Sequence, residues 1–162
     1  MIAALFGGLL FAVDRPRQPM PKFVAKTLDG EQLTNESLKG KTVLVQFWAT
    51  WCPYCREDQP AVDALVRDFA GKGLVVLAVN VGESRSKVRQ YLQESPRACK
   101  IVLTEDTNLA AMFAPNGFPL YVLIDKDGNL VDGQRGAAGE DALRHLLQEA
   151  GLQAEGTGRP SE

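Results

Sequence analysis

The chain reads as one three-layer α/β domain, with a central mixed sheet and a small N-terminal β-hairpin. Three observations predict it. Thr42-Val43-Leu44-Val45-Gln46-Phe47-Trp48 is an apolar, β-branched and aromatic run of the kind a buried strand requires. Directly after it, Val62, Leu65, Val66 and Phe69 recur at i, i+3, i+4, i+7, the period of one helix face. Later, two short apolar runs at 121–124 and 130–134 are joined by Asp125-Lys126-Asp127-Gly128-Asn129, a connection short enough for antiparallel neighbours. Strand, helix and strand followed by a hairpin and a last helix place helices against a sheet of mixed pairing.

The elements follow in order from the same patterning. Residues 2–13 are an apolar stretch ending at Asp14-Arg15-Pro16. As a helix it would span about 18 Å at ~1.5 Å per residue, short of the ~30 Å hydrocarbon core of a bilayer. Its length suits the apolar part of a signal peptide, although the basic start and the small-residue cleavage site are missing. We read it as the remnant of a signal or anchor segment; a helix packed on the domain or on a partner is the alternative. Residues 14–21 hold three prolines and suit a linker. The division is therefore 1–20 for the apolar segment and linker, 21–152 for the domain, and 153–162 for a flexible tail. Asp29-Gly30 predicts a hairpin between 23–27 and 28–33. The helix after the first core strand is expected over 53–70, kinked at Pro60 and ended by Gly71 and Gly73. A second core strand follows at 74–81, then a helix at 86–94 whose Val88, Tyr91 and Leu92 share a face. Residues 101–103 read as a short strand and 107–113 as a short helix. The final helix carries Leu143, Leu146, Leu147 and Ala150 at helical spacing.

At 162 residues, 45% hydrophobic and 23% charged, the chain is long enough to bury a core without staples. A net charge of −2 without a Lys/Arg cluster argues against a nucleic-acid partner. Three cysteines cannot build a disulfide framework: two form Cys52-Pro53-Tyr54-Cys55, and Cys99 is left over.

The C-x-x-C pair sits where a core strand turns into a helix, and a helix N-terminus favours negative charge. A free thiol of pKa ~8.5 is only slightly ionised at neutral pH, whereas C-x-x-C contexts reach about 3.5–7.5. One sulfur can then attack a partner disulfide, and the other resolves the mixed disulfide. A structural disulfide and half a zinc site are the alternatives. The zinc site lacks partners, since only His145 and Cys99 remain and neither is suitably spaced. Asp125-Lys126-Asp127-Gly128 echoes the start of a calcium loop but lacks the later acidic ligand, so it is read as a hairpin turn. Cys99 is read as a small buried hydrophobe and His145 as solvated.

The residues around the pair resemble a family. Phe47-Trp48-Ala49-Thr50-Trp51-Cys52-Pro53-Tyr54-Cys55-Arg56, with Pro60 five residues beyond Cys55, is similar to the TlpA/ResA group of thioredoxin-like thiol-disulfide oxidoreductases. Gly117-Phe118-Pro119 before Leu120-Tyr121-Val122-Leu123-Ile124-Asp125 resembles that family's G-x-P segment. Val79-Asn80-Val81-Gly82-Glu83-Ser84-Arg85 resembles its second strand and the loop after it. The resemblance covers residues 21–152 and implies a thioredoxin fold. Three positions depart from the pattern. Tyr54 stands where most relatives carry proline, giving the Pro-Tyr dipeptide of glutaredoxins. Asp58 replaces the usual Glu, with Glu57 beside it. Gln46 stands where thioredoxin itself has a buried Asp.

The resemblance implies a role for each site residue. Cys52 is the attacking thiolate, exposed at the helix start, and Cys55 lies one turn in, covered. Pro119 is cis and presents the Phe118 backbone to an extended substrate strand, with the Phe118 ring as an apolar contact. Trp51 flanks the groove, Pro53 and Tyr54 lie between the cysteines, and Trp48 is packing. Asp58 or Glu57 takes the proton from Cys55 during resolution, although carboxylates in a first helical turn are also favoured by the dipole alone. Gln46 can orient a water but cannot act as a base.

The implied activity is reduction of protein disulfides outside the cytoplasm, in the periplasm or cell envelope, with cytochrome-maturation apoproteins among the substrates. A membrane-bound thiol-disulfide donor would recharge the pair. The redox-active disulfide itself does the chemistry, with no cofactor or metal, and the protein is expected to act as a monomer. The Pro53-Tyr54 dipeptide prompts a second reading, a glutathione-linked reductase of glutaredoxin type; for the location, the cytoplasm is the alternative. A redox-inactive binding module using the same groove is a third. A peroxiredoxin is excluded, because Ala49 stands where those enzymes need Thr three residues before the reactive cysteine.

Overall fold

The computed structural model describes residues 17–153, and the expectations for residues 2–13 and 154–162 lie outside the described residues. In chain order come β1 (Gln18–Pro19), β2 (Val24–Thr27), β3 (Gln32–Thr34), β4 (Thr42–Trp48), α1 (Pro53–Asp68) and β5 (Leu74–Asn80). They are followed by α2 (Arg85–Glu94), β6 (Lys100–Thr107), α3 (Leu109–Phe113), β7 (Leu120–Ile124), β8 (Asn129–Arg135) and α4 (Gly139–Glu149). The strands form one mixed sheet in the order β1-β8-β7-β4-β5-β6-β2-β3. β4 lies inside it, parallel to β5 and antiparallel to β7. None of the described helices is long and apolar enough to cross a membrane.

All seven residues of β4 are buried, because its two pleat faces feed two separate cores. Leu44 and Trp48 point into the layer formed with Val62, Leu65, Val88, Tyr121, Leu143 and Leu147. Val43, Val45 and Phe47 point into the opposite layer with Phe23, Leu38, Leu109 and Val122. Each fully buried Leu, Val or Phe stabilises the fold by roughly 1.5–3 kcal/mol relative to exposure. The sheet therefore holds the C-terminal end of β4 rigid, and the C-x-x-C segment begins four residues beyond it.

Several expectations hold and some need correction. α1 runs through Pro60 as one continuous helix to Asp68, and Leu143, Leu146 and Leu147 are the buried face of α4. The first hairpin pairs Lys26 with Gln32 across Asp29-Gly30, where Gly30 takes a φ of 89° that side chains disfavour. The Asp125–Asn129 connection is a hairpin turn: Asp125 Oδ1 accepts from the Asp127 and Asn129 N–H groups. The linker expectation fails at its end. Gln18 and Pro19 pair with Leu130 and Asn129 of β8, and Arg17 bonds to the buried Asp125 carboxylate. The strand expected over 101–103 extends to Thr107, because β2 gives its far end a partner at Ala25. Thr107 thus belongs to the sheet, and its hydroxyl accepts from the Leu109 N–H at the start of α3.

Candidate dithiol site

Cys52 is the N-cap of α1, in extended backbone conformation (φ −82°, ψ 111°), with Pro53 as the first helical residue. Its Sγ accepts the Cys55 N–H at 3.2 Å. Cys52 and Cys55 are joined as a disulfide with their Cα atoms 5.3 Å apart, within the usual span of such bonds. That N–H and the helix N-terminus both face the Cys52 sulfur, an arrangement of the kind that stabilises negative charge. One expectation is corrected here. Cys52 is as covered as Cys55, each 2% exposed. In the disulfide its sulfur is turned in toward Cys55, and the exposed neighbours are Trp51 and Tyr54, at 61% and 59%.

The segment carrying the dithiol is clamped from both sides. Thr50 donates its N–H (2.8 Å) and its hydroxyl (2.6 Å) to the two carboxylate oxygens of Glu83. Its carbonyl accepts from the Arg56 guanidinium at 2.9 Å. Glu83 also receives Asn80 Nδ2 at 2.7 Å and Lys87 Nζ at 2.8 Å. Burial alone would push the Glu83 carboxyl up, but the bonds from Asn80, Lys87 and Thr50 outweigh it and hold the group at about 2. In the sequence Glu83 is legible only as part of the loop after the second core strand. Nothing in the sequence pairs it with Thr50, 33 positions earlier.

Across the cleft, the Phe118–Pro119 peptide is cis, Pro119 is buried, and its carbonyl accepts from Gly136 N at 2.8 Å. The Phe118 ring meets Trp51 edge-on, with centroids 5.9 Å apart. Trp51 and Phe118 thus pack together next to the first turn of α1, on which Tyr54 is exposed. A cavity of about 490 Å³ under β7 and β8 is lined by neither cysteine.

The two candidate proton acceptors separate. Glu57 is exposed on α1. Asp58 is 2% exposed and turned inward. Its carboxylate accepts three bonds, from Tyr121 Oη (2.8 Å), Ala138 N (2.8 Å) and Gly139 N (2.9 Å). It thereby ties α1 to β7 and to the N-terminus of α4. A carboxylate offers about four acceptor positions, so one is left on the helix that carries Cys55 one turn earlier.

Gln46 does not stand ready for a water. Its Nε2 donates to Tyr121 Oη at 3.0 Å, and its Oε1 accepts from Arg97 Nη2 at 2.6 Å. Burial, and then the neighbouring Asp58 charge, push the Tyr121 hydroxyl far up, so it keeps its proton. Trp48 is buried packing as expected, with the Arg97 guanidinium 4.3 Å from its ring centroid and Tyr91 tilted against it. Cys99 is a buried free thiol, pushed up by desolvation, and His145 is exposed on α4. Among the described residues no three His, Cys, Asp or Glu side chains gather as a metal site.

A family model described as Redoxin matches residues 15–147. Thiol-disulfide oxidoreductase ResA of Bacillus cereus is 28% identical over 128 residues, 79% of this chain and 74% of that protein. Among solved structures, a thiol:disulfide interchange protein of the thioredoxin family from Chlorobium tepidum superposes with a TM-score of 0.74 at 27% identity, over 85% of this chain and 98% of its own. The pneumococcal exposed lipoprotein thioredoxin of Streptococcus pneumoniae gives a TM-score of 0.70 at 25% identity, over 80% of this chain and 99% of its own.

Proposed function

The chain belongs to the Redoxin family, and from that premise we propose that it reduces protein disulfides outside the cytoplasm through Cys52 and Cys55. It is a TlpA/ResA-like thiol-disulfide oxidoreductase with a thioredoxin fold. The single observation that carries the site assignment is the Cys52–Cys55 disulfide at the first turn of α1, beside the Phe118–Pro119 loop.

The reduced protein acts in two displacements. The Cys52 thiolate attacks one sulfur of the substrate disulfide, forming the mixed disulfide and releasing the other substrate sulfur as a thiolate. Cys55 then gives its proton to Asp58, directly or through water, and its sulfur attacks Cys52 Sγ. The Cys52–Cys55 bond forms, the Cys52–substrate bond breaks, and the second substrate sulfur leaves with the electron pair. Two electrons pass to the substrate and its two thiolates take up two protons. Trp51, Tyr54 and Phe118 supply the apolar surface for the segment flanking the substrate disulfide, and the Phe118 backbone pairs with it.

A membrane-bound thiol-disulfide donor returns the disulfide to the dithiol, and apoproteins of cytochrome maturation are among the substrates. The likeness to a ResA protein and to an exposed lipoprotein thioredoxin supports this setting. The test is insulin reduction with dithiothreitol as donor. Wild type accelerates it and Cys52→Ser does not; equal rates would refute the proposal. Turnover with glutathione as sole reductant would favour the glutaredoxin-type reading instead.

A further inference from the structure

We propose that Arg97 is a positioning residue: acting through Gln46 and Tyr121, it fixes the direction in which the Tyr121 hydroxyl points its proton and so keeps Tyr121 a donor to Asp58 even when that carboxyl takes up the Cys55 proton. The inference rests on Asp58 being the group that takes the Cys55 proton.

The argument is one of hydrogen-bond polarity. Arg97 has donors only. Its Nη2 is 2.6 Å from Gln46 Oε1, so the Gln46 amide must present its oxygen to Arg97 and its NH2 group to Tyr121, 3.0 Å away. Tyr121 Oη therefore accepts from Gln46, and its one proton goes to Asp58 Oδ2 at 2.8 Å. Each bond in the chain Arg97, Gln46, Tyr121, Asp58 runs in the same sense; the donors-only Arg97 sets it at one end and the ionised Asp58 carboxylate, an acceptor only, sets it at the other, so once Asp58 takes up a proton Arg97 alone holds it. Gln46 can turn its amide over, and Tyr121 can turn its hydroxyl.

Among the described residues Arg97 Nε and Nη1 are buried without hydrogen-bond partners, and its guanidinium lies 4.3 Å from the Trp48 ring centroid. Two unpaired buried donors are unfavourable, so the guanidinium is kept in place by Gln46 and the indole. The groups facing Asp58 are few. Tyr121 comes from β7, and α4 offers the Ala138 and Gly139 N–H groups. Cys55 lies one turn earlier on α1. Glu57 of α1 and Glu140 and Asp141 of α4 are exposed.

Without Arg97, Gln46 can offer its oxygen to Tyr121. Once Asp58 is protonated, the hydroxyl proton can then turn toward Gln46, and the carboxyl proton is donated to Tyr121 Oη. A carboxyl whose neutral form gains a hydrogen bond keeps its proton to higher pH. The step affected is resolution, in which the Cys55 proton moves to Asp58 while the Cys52–Cys55 bond forms and the Cys52–substrate bond breaks. The acid limb of its pH–rate profile should therefore move upward.

The experiment mixes reduced full-length protein with a chromogenic disulfide and follows release of the second chromogenic thiolate, which reports resolution, across pH. Arg97→Met and Tyr121→Phe should each raise the midpoint of the acid limb by about half a pH unit to one unit. The double variant should move it no further than Tyr121→Phe does. An unmoved midpoint in Arg97→Met overturns the inference. So does an equal further movement on the Tyr121→Phe background, which would make Arg97 a diffuse charge effect. Should Arg97→Met fail to fold, Gln46→Glu introduces a side chain with acceptors only, and the same upward movement is expected; its absence is equally contrary. Asp58→Asn separates the two levels. It should abolish the limb, and a limb that persists refutes Asp58 as the acceptor and the Arg97 inference with it. Loss of the limb in Asp58→Asn with no movement in Arg97→Met refutes the inference alone.

Discussion

Replacing Glu83 by Gln should cost the oxidised protein about 2–3 kcal/mol at pH 7. The figure comes from the clamp on Thr50. Its carboxyl is lowered from the ordinary 4.5 to about 2, which corresponds to roughly 3 kcal/mol at ~1.4 kcal/mol per pH unit. With a side chain only 5% exposed, solvent screening takes little from this. Glutamine keeps one acceptor for Thr50 or Asn80 but turns an NH2 group toward the other donors, so most of the stabilisation is lost. The sign follows from the direction of the shift. A carboxyl lowered in the folded state stabilises above its ordinary value, and that stability disappears as pH falls from about 4.5 toward about 2. The gap between wild type and Glu83→Gln should therefore be full at pH 7 and shrink to about half at pH 3. Asp125 and Glu36, which are also lowered, act alike in both proteins and cancel in the difference. Urea unfolding at pH 7, 5, 4 and 3 measures this. A variant within ~0.5 kcal/mol of wild type at pH 7, or a gap independent of pH, would refute the clamp.

Other consequences are more local. Asp58→Ala should cost about 3 kcal/mol or more, because it orphans the Ala138 and Gly139 N–H groups and the Tyr121 hydroxyl together, and urea unfolding reads it. Trp51→Ala should leave stability within ~0.5 kcal/mol, since the ring is exposed, yet slow insulin reduction several-fold more than reduction of a small aromatic disulfide. Cys99 should stay unalkylated by iodoacetamide in the reduced native protein at pH 8 and react after unfolding, because burial raises its thiol. Alkylation of Cys99 at the rate of a free thiol would contradict that.

The parts of the fold written in local pattern were legible from the sequence. The β-branched run at Thr42–Trp48 and the Leu143, Leu146, Leu147 spacing state a buried strand and an amphipathic helix without reference to anything distant. The dithiol was legible for the same reason, since strand, cap, proline and helix are consecutive. What was hidden depends on partners far along the chain. Gln18 and Pro19 become a strand only because β8 passes beside them, and Thr107 stays in the sheet only because Ala25 pairs with it. Asp58 and Glu83 look alike in sequence as surface carboxylates. The fold buries one against the N-terminus of α4 and the other against the loop before Cys52. Arg97 lies in a coil between α2 and β6, where no periodicity could single it out.

The central claim is that Cys52 attacks and Cys55 resolves. Incubating reduced Cys55→Ser with a disulfide-bearing protein substrate, followed by non-reducing digestion and mass spectrometry, tests it most directly. A stable mixed disulfide on the peptide containing Cys52 is expected, and reducing agent should release it. A mixed disulfide found instead on Cys99, or no covalent species while wild type turns the same substrate over, would contradict the account.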